Sequence, residues 1–437
     1  MKRWCYRIAL CLCVCLLTLG LCGRMEAAEV VDSGSCGESL TWSLDGDGVL
    51  TIRGTGEMVD YPAASTPWEG NRWKIKSVVV EPGVTSIGAN AFCGCSALTS
   101  ITLPDSVTSI GERAFSYCSA LTGITLPDSV TEIGTYAFSD CSALTSITLP
   151  NSVTSIGERA FSYCSALTGI TLPDRITEIG AHAFYKCDAL TSIALSANIT
   201  SIGESAFSGC SSLAQITLPA RLREIDSYAF SDCSSLQTIT IPQGVTSISD
   251  SAFRDCSSLT NVTIPDSVTS IGDYVFQSCS SLRQITLPDS LTSLGGSVFS
   301  HCSSLERIVI PARVTGIPVS AFCGCTNLKS VTLPDDIEWI GEDAFRNCFN
   351  LEQITLPDGL RGIYNSAFQG CSSLKSIELP DSVTYISSSA FQGCSSLKSI
   401  ELPDSVTGIS TSAFQDCSSL KSIELPDSVT YISASAF

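Results

Sequence analysis

The sequence predicts a β-rich solenoid of 23-residue coils, each with short parallel strands and one helical turn. Three observations predict it. Phenylalanine recurs every 23 residues from Phe92 through Phe115 and Phe138 to Phe437, without insertion or deletion. The stretch "SALTSITLPDSVTSIGERAFSYC" at residues 96–118 returns at residues 142–164 with Asp105 replaced by Asn151 as its one change. Finally, each unit carries apolar residues at the same offsets, so it cannot bury its own apolar side and must stack on its neighbours.

Residues 1–28 read as a secretory signal peptide. Lys2, Arg3 and Arg7 precede an apolar run at residues 8–22, and Glu26, Ala27 and Ala28 end it with small residues suited to cleavage. A membrane anchor needs an apolar stretch of about 20 residues, and no later segment offers one, so no membrane span is expected in the mature chain. Acylation at Cys22 is the competing reading. It is weakened by Leu21, which stands where a lipidation signal wants a small residue.

Residues 29–83 fall outside the period. "LTWSLDGDGVLTIRG" alternates apolar and polar residues on both sides of "DGDG", which signals a hairpin. This amino-terminal capping β-hairpin region is expected to cover the open edge of the first coil, with residues 75–80 leading in as a strand. Calcium at Asp45 and Asp47 is the rival reading. Gly56 stands where a twelve-residue calcium loop wants glutamate, which favours the turn.

The periodic region spans residues 84–437. In one unit, residues 98–104 ("LTSITLP") are rich in β-branched residues and stop at a proline, which cannot donate to a ladder. Leu98, Ile101 and Leu103 should face inward and Ser100 and Thr102 outward. Pro104, Asp105 and Ser106 make a turn, and residues 107–110 form a second extended segment with Val107 and Ile110 buried. Residues 111–118 are long enough for one helical turn, with Ala114, Phe115 and Cys118 on its buried face. Glu112, Arg113, Ser116 and Tyr117 vary between units and are expected to be exposed. Parallel coils of this kind rise about 4.8 Å each, so the array spans on the order of 70 Å.

The chain has 23 cysteines. Cys5, Cys11, Cys13, Cys15 and Cys22 lie in the leader; most of the rest occur once per unit, from Cys95 to Cys417. Stacked equivalents would stand about 4.8 Å apart, beyond the usual Cβ separation of a disulfide. The ladder is therefore read as buried thiols filling apolar space. Cys36, Cys93 and Cys323 fall outside the ladder, and their state, reactive or bridged, stays open.

"LTSITLPDSVTSIGERAFSYC" resembles the repeat of the BspA-like family, the Treponema pallidum type of leucine-rich repeat, with its L-x-x-I-x-L-P followed by I-G-x-x-A-F-x-x-C. The resemblance covers residues 84–437. Departures are few: Ser196 replaces the proline, Val275 and Val298 replace the alanine, and Ser249, Ser387, Ser410 and Ser433 replace glycine. The fold class is accordingly a leucine-rich-repeat solenoid of bacterial surface type, ending in mid-repeat at Phe437, where the readings of a fragment, an incomplete gene and a tail covered by something else stay open. The resemblance implies adhesion to host matrix or to other cells.

Charge and composition exclude several functions. A net charge of −19 repels phosphate backbones, so nucleic acid is not an expected partner. His182 and His301 are the only histidines and lie five coils apart. No nucleophile elbow, metal motif or phosphate loop can be assembled. The chain is read as no enzyme, with no cofactor and no metal.

Variation along the outer strand face marks the candidate binding residues. The Thr102 position is threonine in many coils and becomes Glu378, Glu401 and Glu424 near the end, while the Thr99 position becomes Lys375, Lys398 and Lys421, placed to offset that acid. Between them lies a non-uniform strip of Gln215, Asn261, Arg283, Gln284, Arg307 and Gln353. The expected function is that of a secreted or cell-surface protein whose solenoid binds a protein or glycan partner. The alternative is a structural spacer or surface-layer component that displays another domain.

Overall fold

The computed structural model describes residues 28–437. Apart from Ala28, the leader with Cys22 lies outside the described residues. Strands β1 (Val30–Ser35), β2 (Leu40–Asp45) and β3 (Val49–Gly54) form an antiparallel meander. The β2–β3 turn is closed by Asp45, whose Oδ1 accepts the N–H groups of Asp47 and Val49 at 3.0 and 2.9 Å. Gly48 sits in this turn at φ +88°, where an added Cβ would lie 2.5 Å from the Lys74 carbonyl oxygen.

The meander passes directly into the coils. After β4 (Gly56–Glu57), the strand β5 (Ser77–Val80) pairs in parallel with β3 on one side and with β7 (Ser100–Thr102) on the other. A second parallel ladder starts at β4 and continues through β6 (Val84–Ile87) and β8 (Ser109–Ile110). Both ladders continue at a step of 23 residues, as in Ile147 on Ile124 and Ile156 on Ile133. Register cannot slip by one residue, because that would turn every buried isoleucine outward.

The core is a set of columns running along the axis. Leu98, Val107, Ile110, Ala114, Phe115 and Cys118 are buried, as are their successors through most of the array. Leu103 is half-buried, whereas Leu126, Leu149 and Leu172 at the same position are buried. Neighbouring phenylalanines stack almost parallel, from 5.2 Å between the rings of Phe115 and Phe138 to 5.9 Å between Phe253 and Phe276. Trp68 extends the stack at the amino-terminal end, 5.8 Å from Phe92, and its indole N–H donates to the Ala91 carbonyl. Fully burying a phenylalanine contributes about 1.5–3 kcal/mol, so this column alone ties each coil strongly to the next.

The segment expected as one helical turn is a run of turns instead. Ala114, Ser116 and Cys118 donate N–H groups to the carbonyls of Gly111, Arg113 and Phe115. The residues between them, Arg113, Phe115 and Tyr117, donate to Thr135, Ala137 and Ser139 of the following coil. A helix would keep all of these donors within one coil; here alternate donors bridge coils. The left-handed conformation of Arg113 (φ 51°) and Tyr117 (φ 60°) aims them that way, and their successors share it. Ser116 is buried rather than exposed, because this alternation turns its side chain toward the neighbouring coils.

Polar side chains reinforce the stacking. Ser106 donates to the Val84 carbonyl at 2.7 Å, and Ser267 and Ser428 make the same bond to Val245 and Val406. Thr108 and Thr154 bond carbonyls one coil back. The cysteine ladder does more than fill space: Cys118 Sγ donates to the Phe92 carbonyl at 3.2 Å, and Cys141 and Cys256 repeat the contact with Phe115 and Phe230. All cysteines of the described residues are free, with Cys36 and the ladder buried and Cys93 and Cys323 half-buried. Burial pushes the thiols of Cys95 and Cys141 up to about 12 and that of Cys417 to about 11.

A thiol held so far above neutral pH forms almost no nucleophilic thiolate. Under native conditions iodoacetamide should therefore modify Cys93 and Cys323 before any ladder cysteine, and the ladder should react only on unfolding. Mass spectrometry that found Cys187, Cys210 or Cys233 alkylated as fast as Cys93, or joined to one another by disulfides, would contradict the ladder.

Candidate functional site

Two surfaces of the array depart from uniformity, one on each side of the core. On the strand side, all twelve candidate residues are exposed. Gln215, Asn261, Gln284, Arg307 and Gln353 occupy the Ser100 position, Arg283, Lys375, Lys398 and Lys421 the Thr99 position, and Glu378, Glu401 and Glu424 the Thr102 position. Equivalent residues thus lie one coil apart in straight files.

The outer strand ladder is interrupted within this strip. It runs through residues 123–194, resumes at Thr238–Thr240 and Asn261–Thr263, and again at Arg307–Val309 and Ser330–Thr332. Besides the last coil, with Lys421 and Glu424, the coils that lack this strand hold Gln215, Gln284 and Gln353, so each of these glutamines stands at a lapse. Over Gln284 a hollow of 480 Å³ opens between Asn261 and Arg307, floored by Ile285 and Ile308. It brings three of the candidate residues together.

The charges pair differently from expectation. Lys375 donates to Glu352 Oε2 at 2.5 Å, one coil back in its own file, and Lys329 donates to Glu306 Oε2 at 3.1 Å. No ion pair among the described residues joins Lys375, Lys398 or Lys421 to Glu378, Glu401 or Glu424. The reason is geometric. Facing residues of adjacent coils at one position are direct neighbours, whereas positions three residues apart within a coil are separated along the strand. Glu378 and Glu401 therefore face each other in register.

On the turn side, an open groove of 860 Å³ follows the first half of the array. Its walls come from the two left-handed positions of successive coils. One file is Arg113, Tyr136, Arg159 and His182; the other is Tyr117, Asp140 and Tyr163. Ser116, Ser139 and Ser162 lie buried beneath them. Arg113 lies 4.5 Å from the centre of the Tyr136 ring, and Arg159 donates to the Tyr136 hydroxyl at 2.6 Å. Tyr163 and Tyr185 meet edge to face at 5.3 Å. Desolvation and the neighbouring Tyr185 raise the Tyr163 phenol above its ordinary range, and desolvation with nearby Arg159 lowers the His182 imidazole.

The strand-face reading overlooked this groove. Its signal was present in the sequence: tyrosine recurs at the variable positions around A-F in "GERAFSYC", "GTYAFSDC", "AHAFYKC" and "DSYAFSDC". Seen as a helical surface these residues scatter; seen as files of equivalent positions they gather along one wall.

Among the described residues no group of His, Cys, Asp and Glu is arranged to hold a metal ion, and no helix is long and apolar enough to cross a membrane. The family described as BspA type leucine rich repeat region matches the chain in overlapping segments from residue 70 to residue 437. No curated protein matches. A leucine-rich repeat protein from Bacteroides ovatus is 33% identical, with 91% of this chain and 98% of that one covered and a TM-score of 0.73. One from Eubacterium ventriosum is 28% identical, covering 83% and 94%, at a TM-score of 0.44. A leucine rich cell surface protein from Faecalibacterium prausnitzii is also 28% identical, covering 91% and 96%, at a TM-score of 0.40.

The Lys329 ammonium, hydrogen-bonded to Glu306, holds that carboxyl below its ordinary value, with Arg283 and Arg307 adding to the effect. Lys329→Met should let the Glu306 titration move upward toward the usual glutamate range. Carbon-13 carboxyl NMR of glutamate-labelled protein checks this; an unchanged midpoint would mean that the file of alternating charges does not form in solution.

Proposed function

Because this chain belongs to the family of BspA-type leucine-rich repeat proteins, we propose that it is an exported bacterial protein that binds a protein or glycan partner at the cell surface through its solenoid. The observation that carries the reading is the hollow over Gln284, where the strand ladder lapses and Asn261, Gln284 and Arg307 converge. Arginine and amide side chains beside apolar floor atoms are the chemistry of protein recognition, since guanidinium makes forked contacts and is favoured at binding hot spots. The signal-peptide pattern at residues 1–28 supports export.

The same layout supports binding rather than catalysis. A solenoid sets equivalent groups in files, whereas catalysis needs unlike groups converging on one reacting atom. His182 and His301 stand in distant coils, and the strongly acidic chain opposes nucleic acid. Recognition is spread over several coils, so single substitutions act weakly and a stacked set acts together.

The test is attachment of the purified protein to immobilised extracellular-matrix protein and to whole cells. Arg283→Glu with Arg307→Glu should weaken attachment to a protein ligand roughly tenfold, and replacing His182 and His301 together should leave it nearly unchanged. Loss with the histidine pair and none with the arginine pair would move the protein-binding face to the other side. A wild-type chain that attaches to nothing would favour the spacer reading.

A further inference from the structure

The turn-side groove plays no part in the contact assigned to Arg283 and Arg307, and its chemistry is different. On an acidic chain of net charge −19, its lining is close to balanced: Arg113, Arg159 and Arg254 face Asp140, Glu204, Asp232 and Asp255. The guanidinium groups are already engaged. Arg113 pairs with Glu112, Arg159 with Glu158, and Arg254 with Asp255. A groove built for phosphate, sulfate or an acidic peptide would leave its arginines available; here each is paired with the carboxylate of the residue next to it in the chain.

What remains on offer is aromatic surface and hydrogen-bonding groups. Tyr117 and Tyr163 are 58% and 47% exposed, although large aromatic side chains normally gain from burial. They occupy the same position two coils apart, with Asp140 between them. The coil steps beneath them, measured on the phenylalanine stack, are 5.2 and 5.4 Å. Two rings separated by about 10 Å with a carboxylate midway match an extended β-1,4-linked glycan, in which alternate sugars present the same face to one side. A pyranose offers a C–H-rich face to an aromatic ring and hydroxyl groups around its edge. The Asp140 carboxylate can accept from the middle sugar while Oδ2 receives the Ser139 hydroxyl at 2.8 Å.

Beneath Tyr117, Asp140 and Tyr163 the floor is made of Ser116, Ser139 and Ser162, all small and buried, whereas Tyr185 and Arg254 take the same position farther along the groove. Small floor residues over the three successive coils that carry Tyr117, Asp140 and Tyr163 leave room there for an extended ligand lying along the axis.

We propose that this groove binds a neutral, extended β-linked oligosaccharide, stacked on Tyr117 and Tyr163 and hydrogen-bonded by Asp140. The proposal rests on the reading of the chain as a surface recognition protein and adds a second face with its own partner class. Tyr117→Gly with Tyr163→Gly is the informative variant, because Gly94 and Gly209 already occupy this position in other coils with the same left-handed backbone. The fold is thereby kept while both rings are removed.

Calorimetric titration of the purified protein with chitohexaose and with cellohexaose tests it. At least one should bind to the wild type; the double variant should weaken that binding tenfold or more, and Asp140→Ala should weaken it severalfold. Tyr364→Ala, an exposed tyrosine outside the groove, and Arg283→Glu with Arg307→Glu should leave it unchanged. Failure of the wild type to bind either sugar, equal binding by the double variant, or preference for heparin over both would overturn the proposal. Attachment to matrix protein that persists in any of those cases leaves the surface-recognition reading standing, and its absence removes that reading separately.

Discussion

Every feature of this molecule depends on hydrogen bonds that one coil cannot make for itself. Within the array the strands pair with their equivalents 23 residues away, and the turn segment sends alternate N–H groups to carbonyls of the next coil. Buried backbone groups left without partners are costly, so a single coil has no stable form in water and each coil gains its structure from the ones beside it. Side chains are fitted to the same constraint. Ser106, Thr108 and Cys118 each donate to a carbonyl of the preceding coil, so that conserving the period also conserves the bonding partner.

The left-handed residues show the cost of this arrangement. A left-handed conformation at a residue other than glycine costs roughly 1–2 kcal/mol, and the repeating unit has two such positions, as at Arg113 and Tyr117. They persist because the inter-coil bonds at Phe115 and its flanking residues require that path. The same residues, pushed outward by the turn, form the wall of the groove. The stack and the groove wall therefore use different atoms of one segment: backbone and small buried side chains hold the stack, and the variable side chains face solvent.

Much of the fold was legible because a period converts local pattern into long-range contact. Once Phe92 and Phe115 are seen to be equivalent, their stacking follows, as does the burial of Ile101, Val107 and Ile110. The turn segment was misread because the spacing of Ala114, Phe115 and Cys118 also suits a helix, and nothing in arginine or tyrosine marks a left-handed backbone. The thiol contact to Phe92 was invisible for a different reason, since burial of cysteine is legible but its hydrogen bond depends on the neighbouring coil's carbonyl. At the sites, the residues of the strand strip are exposed, and Lys375 pairs with Glu352 rather than with Glu378, because neighbours in a solenoid lie across coils rather than along them. The internal lapses coincide with glutamine at the Ser100 position, at Gln215, Gln284 and Gln353, whereas the coils with Asn261 or Arg307 there keep the strand.

If stacking in register is the source of stability, the chain should tolerate loss of a whole period and not of a fraction of one. Deleting residues 142–164 removes one unit and joins equivalent ends; deleting residues 142–151 breaks the phase of every file beyond the cut. Circular dichroism and urea unfolding of the two variants measure the difference. The account predicts a folded, slightly shorter protein with cooperative unfolding for the first and loss of structure across the junction for the second. Equal unfolding of both, or equal tolerance of both, would contradict it.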